Sequence, residues 1–107
     1  MKAYIAGKIT GVPDYKEKFQ KGVEALVKEG FIVLNPAVLP EGMSPHDYMK
    51  ICFAMIDVAD IVFFLPDWTF SDGARLEYEY CNYISKKMMY LGNLESYQEV
   101  LKGGQSE

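Results

Sequence analysis

The chain has 107 residues, half of them hydrophobic and 24% charged, with a net charge of −4. That length suits one domain with one core. The acidity excludes the basic face of a nucleic-acid groove binder, yet it leaves room for a small nucleotide held by local loop donors.

In chain order, Lys2–Ala6 reads as a short first strand ending at Gly7, followed by a loop rich in turn residues, Gly7 to Asp14. Tyr15 to Glu29 is an amphipathic helix with Tyr15, Phe19, Val23 and Leu26 on one side and Gly30 at its C′ position. Phe31-Ile32-Val33-Leu34 is continuous and β-branched, as a strand buried on both faces should be, and Asn35-Pro36 ends it. After an irregular loop, Ser44-Pro45-His46-Asp47 starts a helix, with Ser at the N-cap, Pro at N1 and an acid at N3, that runs to about Val58. Asp60 to Leu65 is the clearest strand, ended by Pro66. A loop with Trp68 and Phe70 leads through a Ser71 cap into a helix reaching Ile84. Lys87–Leu91 resembles a fourth strand, residues 94–101 a last short helix, and 102–107 a polar tail beyond a single domain spanning 1–101.

Alternating strands and helices with apolar strand runs predict an α/β three-layer sandwich, its four- to five-stranded sheet mainly parallel and its crossovers right-handed. In such open sheets the site lies beyond the carboxyl ends of the strands, near a switch in strand order. That rim gathers the Gly7–Asp14 loop, Asn35 onwards, and the Pro66–Gly73 segment.

The last of these leads to an anomaly. At roughly 100° per residue, Gly73, Ala74, Tyr80, Cys81 and Ile84 share one arc of their helix, and Glu77 sits near its centre. A carboxylate facing a core costs several kcal/mol unless it is paired, so it shifts its pKa, serves a site, or lies at the helix edge and reaches water. Glu79 points the other way, beside Arg75 in an i,i+4 pair. The Gly7-Lys8-Ile9-Thr10-Gly11 loop is neither a Walker A nor a GxGxxG sequence. It reads either as an anion cradle, with Lys8 and Thr10 supplying charge and hydroxyl, or as a tight turn with Lys8 in water. Ser71 and Gly73 open the Glu77 helix, where an N-cap role and an oxygen-binding role are compatible. Trp68 and Phe70 either cover a base or pack over the sheet edge, and the tyrosines at 78, 80 and 83 suit helix packing.

Cys52 and Cys81 show no metal-ligand spacing, and His46 has no second His or Cys near it. Small buried thiols in a reducing compartment, no metal and no cofactor are therefore expected. Asp57 and Asp60 flank the amino end of a strand and suit capping or turn hydrogen bonds. The opening apolar run is too short for a signal peptide and nothing is long enough to span a membrane, so a cytoplasmic protein is expected.

Tyr4-Ile5-Ala6-Gly7 with Ile9-Thr10-Gly11, then Asn35-Pro36, Ala59-Asp60-Ile61-Val62, Leu65-Pro66-Asp67-Trp68 and Ser71 to Glu77 run in order over most of the chain. Together they resemble the nucleoside 2-deoxyribosyltransferase-like superfamily, and within it the small uncharacterised DUF4406 group. The resemblance implies a Rossmann-like, flavodoxin-type domain, dimeric or larger, acting on the N-glycosidic bond of 2′-deoxynucleosides or their 5′-monophosphates. It implies that Glu77 is the nucleophile attacking C1′, that Tyr4 lines the sugar pocket, and that Gly7, Lys8, Ile9 and Thr10 hold a 5′-phosphate. It also implies a phosphate contact at Ser71, which leans toward a phosphorylated ligand. Gly73 and Trp68 complete the candidate binding residues.

Two positions depart from the pattern. The companion carboxylate of the related enzymes should fall near Cys52, where a thiol cannot serve as the acid. Asp47 and Asp57 are the nearest substitutes in sequence. The phosphate loop lacks an Arg, leaving Lys8 as its cation. An N-glycosidase or deoxyribosyltransferase is the first reading, a nucleotide-binding protein using the same pocket the second, and a structural domain with an incidental Glu77 the third.

Overall fold

The computed structural model describes residues 1–91; the helix expected over 94–101, the tail, and Asn93, Ser96 and Tyr97 lie outside the described residues. Four strands, β1 (Lys2–Ala6), β2 (Ile32–Leu34), β3 (Ile61–Phe64) and β4 (Lys87–Tyr90), alternate with three helices, α1 (Tyr15–Lys28), α2 (Pro45–Val58) and α3 (Asp72–Tyr83). All neighbouring strands are parallel, in the order β2-β1-β3-β4. The direction of travel across the sheet reverses between β1 and β3, so their carboxyl ends flank the switch point at which such sheets bind ligands.

Strand alternation divides the core into two layers. Ala3, Ile5, Ile61, Phe63 and Leu65 join Phe19 and Leu26 of α1 on one face of the sheet. Tyr4, Ala6, Val62 and Phe64 join Cys52 and Ile56 of α2 and Cys81 of α3 on the other. Side chains of period two allow no other partition. The result is a three-layer α/β sandwich, as the sequence pattern predicts.

The caps follow local chemistry. Ser44 Oγ accepts from the Asp47 N–H at 3.1 Å with Pro45 in the first turn of α2. Ser71 Oγ accepts from the Ala74 N–H at 3.1 Å at the start of α3. Gly30, with φ of +93°, takes the left-handed conformation that ends α1.

Two expectations need correction. β2 is an edge strand, not a strand buried on both faces: Ile32 is 66% exposed and Val33 and Leu34 are half-buried. Phe31 and Val33 pack toward the α1 layer, Phe31 edge-on against Phe63, and Leu34 packs toward the opposite layer. Arg75 pairs with Asp72 at 2.6 Å rather than with Glu79. The acid then precedes the base and sits in the first helical turn, where the helix dipole favours negative charge.

The edge position of β2 has a measurable consequence. Phe63→Ala, at a fully buried central-strand site, should cost about 3–5 kcal/mol in denaturant unfolding. Ile32→Ala should stay within about 0.5 kcal/mol of wild type. A comparable loss at both positions would contradict the edge assignment.

Candidate active site

Beyond the carboxyl ends of β1 and β3 lies a cavity of about 680 Å³, with Tyr4, Cys52 and Glu77 among its lining residues. Tyr4 comes from β1, Cys52 from α2 and Glu77 from α3. Because Ala3 and Ile5 face α1, Tyr4 must face α2 and α3. Its hydroxyl donates to Glu77 Oε2 at 2.5 Å, between two buried groups. Glu77 is only 5% exposed, and it is the one charged side chain fully inside the core of the described residues.

Burial dominates its electrostatics. Desolvation pushes the Glu77 carboxyl up to about 7, against hydrogen bonds from the Tyr4 hydroxyl and the Cys52 thiol that favour the ionised form. Burial and then the Glu77 charge push the Cys52 thiol up to about 11, so it remains a protonated donor. The same two causes raise the Tyr4 phenol well above its ordinary value. Glu77 is therefore the group in this cluster that changes charge near neutrality.

Eight of the nine candidate residues line this cavity: Tyr4, Gly7, Lys8, Ile9, Thr10, Ser71, Gly73 and Glu77. Trp68 does not. It stacks on Tyr78 with ring centroids 4.8 Å apart and leans on Phe64 and Tyr90. The 3₁₀ turn Trp68–Phe70 carries the chain around, so Phe70 lines the cavity instead and stays 75% exposed. Of the other tyrosines, Tyr80 stacks on Phe53 and Tyr83 is almost fully exposed.

The phosphate-loop candidate is tied down more firmly than either sequence reading implies. The Lys8 N–H donates to Asp67 Oδ1 at 3.0 Å, and Lys8 Nζ donates to the Phe70 carbonyl at 2.9 Å. Lys18, in the first turns of α1, donates to the Lys8 carbonyl at 2.6 Å and forms an ion pair with Asp67. Lys18 lies outside the cavity lining, so among the described residues Lys8 is the lysine that lines it. Gly7 has no room for a side chain, since a Cβ there would sit 2.8 Å from Leu65 Cδ1 and 3.3 Å from Asp67 Oδ1.

Neither Asp47 nor Asp57 stands in for the missing carboxylate. Asp47 is exposed in the first turn of α2 and does not line the cavity. Asp57 accepts from the Tyr80 hydroxyl at 2.5 Å, and Asp60 accepts from the Lys2 N–H at 2.7 Å, both near the amino end of β3. Among the described residues, no group of three His, Cys, Asp or Glu is placed to hold a metal ion, and no helix is long and apolar enough to cross a membrane.

Residues 1–90 match the model of a family described as Domain of unknown function (DUF4406). The chain belongs to the DUF4406 family. A solved 2-desoxiribosyltransferase from Leishmania mexicana shares its fold, with a TM-score of 0.66 and 21% identity over 83% of this chain. The DUF4406 chain spans 62% of the length of that structure. No curated protein matches in sequence. The chain accordingly has a nucleoside 2-deoxyribosyltransferase-like, Rossmann-like fold.

The DUF4406 cavity also contains residues that the motifs did not single out. Tyr48 and Met49 line it one turn before Cys52 on α2, and i, i+3, i+4 spacing from Cys52 is the signal that would have found them. Lys18 and Asp67 carried no such signal, because their partnership joins α1 to a loop 49 residues away.

Two outcomes follow for the buried cluster. Tyr4→Phe removes a donor that favours the ionised Glu77, so the Glu77 titration followed by carboxyl NMR should move above about 7; a downward move would show that the hydroxyl does not stabilise the anion. Because the folded value lies above the unfolded one, near 4.5, Glu77 is least unfavourable below pH 4.5, and stability is lost as pH rises to about 7. Glu77→Gln should therefore gain on wild type across that window, by ~3 kcal/mol above pH 7. A difference that does not vary with pH would rule out the buried charge as its source.

Proposed function

We propose that this domain cleaves, or transfers at, the N-glycosidic bond of a 2′-deoxynucleoside 5′-monophosphate or a related nucleotide, with Glu77 as nucleophile. The observation that carries this reading is a buried carboxylate, held by a tyrosine hydroxyl on the wall of a nucleotide-sized cavity at the switch point of the sheet. The likeness to a 2-desoxiribosyltransferase supports the same class of chemistry.

In this reading one Glu77 oxygen attacks C1′ as the bond to the base breaks, through an oxocarbenium-like transition state. Positive charge developing on the sugar is stabilised by the carboxylate in a desolvated setting, where charges interact strongly. Tyr4 holds the carboxylate in place. Water, or a second base, then attacks C1′ and frees Glu77. The 5′-phosphate sits toward the loop of Gly7, Lys8, Ile9 and Thr10 and the α3 N-terminus at Ser71 and Gly73. The Lys8 ammonium has donors beyond the one on the Phe70 carbonyl to offer a phosphate.

The second reading, a nucleotide binder without turnover, draws on Cys52. A thiol stands beside Glu77, and among the described residues the other carboxylates lining the cavity, Glu41 and Asp72, are exposed and paired with Lys16 and Arg75.

Free-base release from a panel of deoxynucleoside monophosphates, followed by chromatography, separates the two. Wild type should release base, with kcat/KM rising with pH to about 7 and level above it, because the ionised Glu77 is the attacking species. Glu77→Ala should lose roughly a thousandfold or more. Undiminished release by Glu77→Ala would remove its assigned role, and thermal stabilisation by nucleotides without release would favour the binder.

A further inference from the structure

Among the described residues, every other titratable group that lines the cavity beside Glu77 is a poor proton donor for a departing base. Cys52 and Tyr4 touch the carboxylate, and both are buried and held in their protonated forms. Cys81, on the same face of α3, is buried and pushed up to about 11 as well. The remaining lining carboxylates, Glu41 and Asp72, lie on the exposed rim, each in an ion pair. Among the described residues the cavity thus holds a nucleophile but no acid positioned beside it. General acid assistance is worth about 10²–10⁴-fold in rate. A neutral base that gains no proton leaves as an anion, a poorer leaving group; a base that is already cationic leaves as a neutral molecule and needs none.

Two further features fit a cationic ring. The wall around Glu77 carries no cation from α2 or α3, the lining lysine being Lys8 on the loop after β1. The lining also includes the aromatic side chains Tyr15, Tyr48 and Phe70, whose faces attract a delocalised cation. A positive charge beside Glu77 would in turn favour its ionised form. Such a substrate draws the nucleophile into its reactive state, whereas a neutral nucleotide brings only the repulsive charge of its phosphate.

Building on the nucleophilic role assigned to Glu77, we propose that the site is built for nucleotides with a cationic base, such as an N7-alkylated purine or a pyridinium. A Glu77 carboxylate oxygen forms a bond to C1′. The C1′–N bond breaks with its electron pair passing to the ring nitrogen, which neutralises the ring. Water then attacks C1′, the glycosyl–Glu77 bond breaks to restore the carboxylate, and the water's surplus proton passes to solvent.

A matched pair tests this: 2′-deoxyguanosine 5′-monophosphate and its N7-methyl derivative, compared at mildly acidic pH where the methylated ring is cationic. Base release is measured with wild type and with the isosteric Glu77→Gln, after subtraction of uncatalysed release. The expected result is kcat/KM at least about a hundredfold higher for the methylated nucleotide, and lost in Glu77→Gln. Glu77-dependent rates within about tenfold of each other would overturn the preference for a cationic base while leaving Glu77 as nucleophile. No release from either nucleotide, or release unchanged in Glu77→Gln, would overturn both.

Discussion

Tyr4 has no choice of face. Its neighbours Ala3 and Ile5 are committed to the layer beneath α1, and a strand allows only alternation, so the phenol must lie under α2 and α3. That places its hydroxyl 2.5 Å from Glu77 and ties the first strand of the domain to its last described helix across 73 residues of sequence. Slipping β1 by one residue would turn Tyr4 toward α1, remove the donor from the carboxylate, and exchange the apolar sets of the two core layers. Fold register and site geometry are therefore one constraint, with Val62 and Phe64 of β3 extending the same face.

The same constraint explains why a charge is tolerated in the core. Glu77 falls on the arc with Ala74 and Cys81, both buried, and a hydrophobic residue there would fill the space without desolvation loss. Keeping Glu77 sacrifices stability above its titration range. Residues held against their solvation preference, in a cavity at a sheet switch point, are characteristic of sites rather than of packing. Structural buried carboxylates usually meet a cation; Glu77 meets a phenol and a thiol, which orient it without neutralising it.

Much of this was legible in the sequence because it is local. Strand and helix positions follow from apolar periodicity, caps from Ser44, Ser71 and Gly30, and Glu77 from its own misfit on the stripe. What escaped depends on pairing across the chain. The edge position of β2 is not encoded in Phe31–Leu34, which reads equally well as a central strand; strand order decides it. Trp68 and Phe70 are two residues apart in the same loop, and only the turn between β3 and α3 determines which ring stacks on Tyr78 and which faces the cavity. The Lys18–Asp67 pair was invisible for the same reason, although it braces the backbone at Lys8.

Cys52 joins these observations to the chemistry. A second carboxylate at that position would sit against Glu77 in a desolvated space, and two like charges so close cannot both ionise. One would keep a proton, ready to donate; the thiol instead supplies only a hydrogen bond and stays protonated. Glu77 thereby becomes the one group in the cluster to cycle between charged and neutral forms near neutral pH. If Glu77 acts as the proposed nucleophile, a site with one titrating carboxylate leaves the departing group to bring its own means of departure. On the proposed reading, the chemistry of the aglycone, more than the identity of the sugar, is the property this cavity selects.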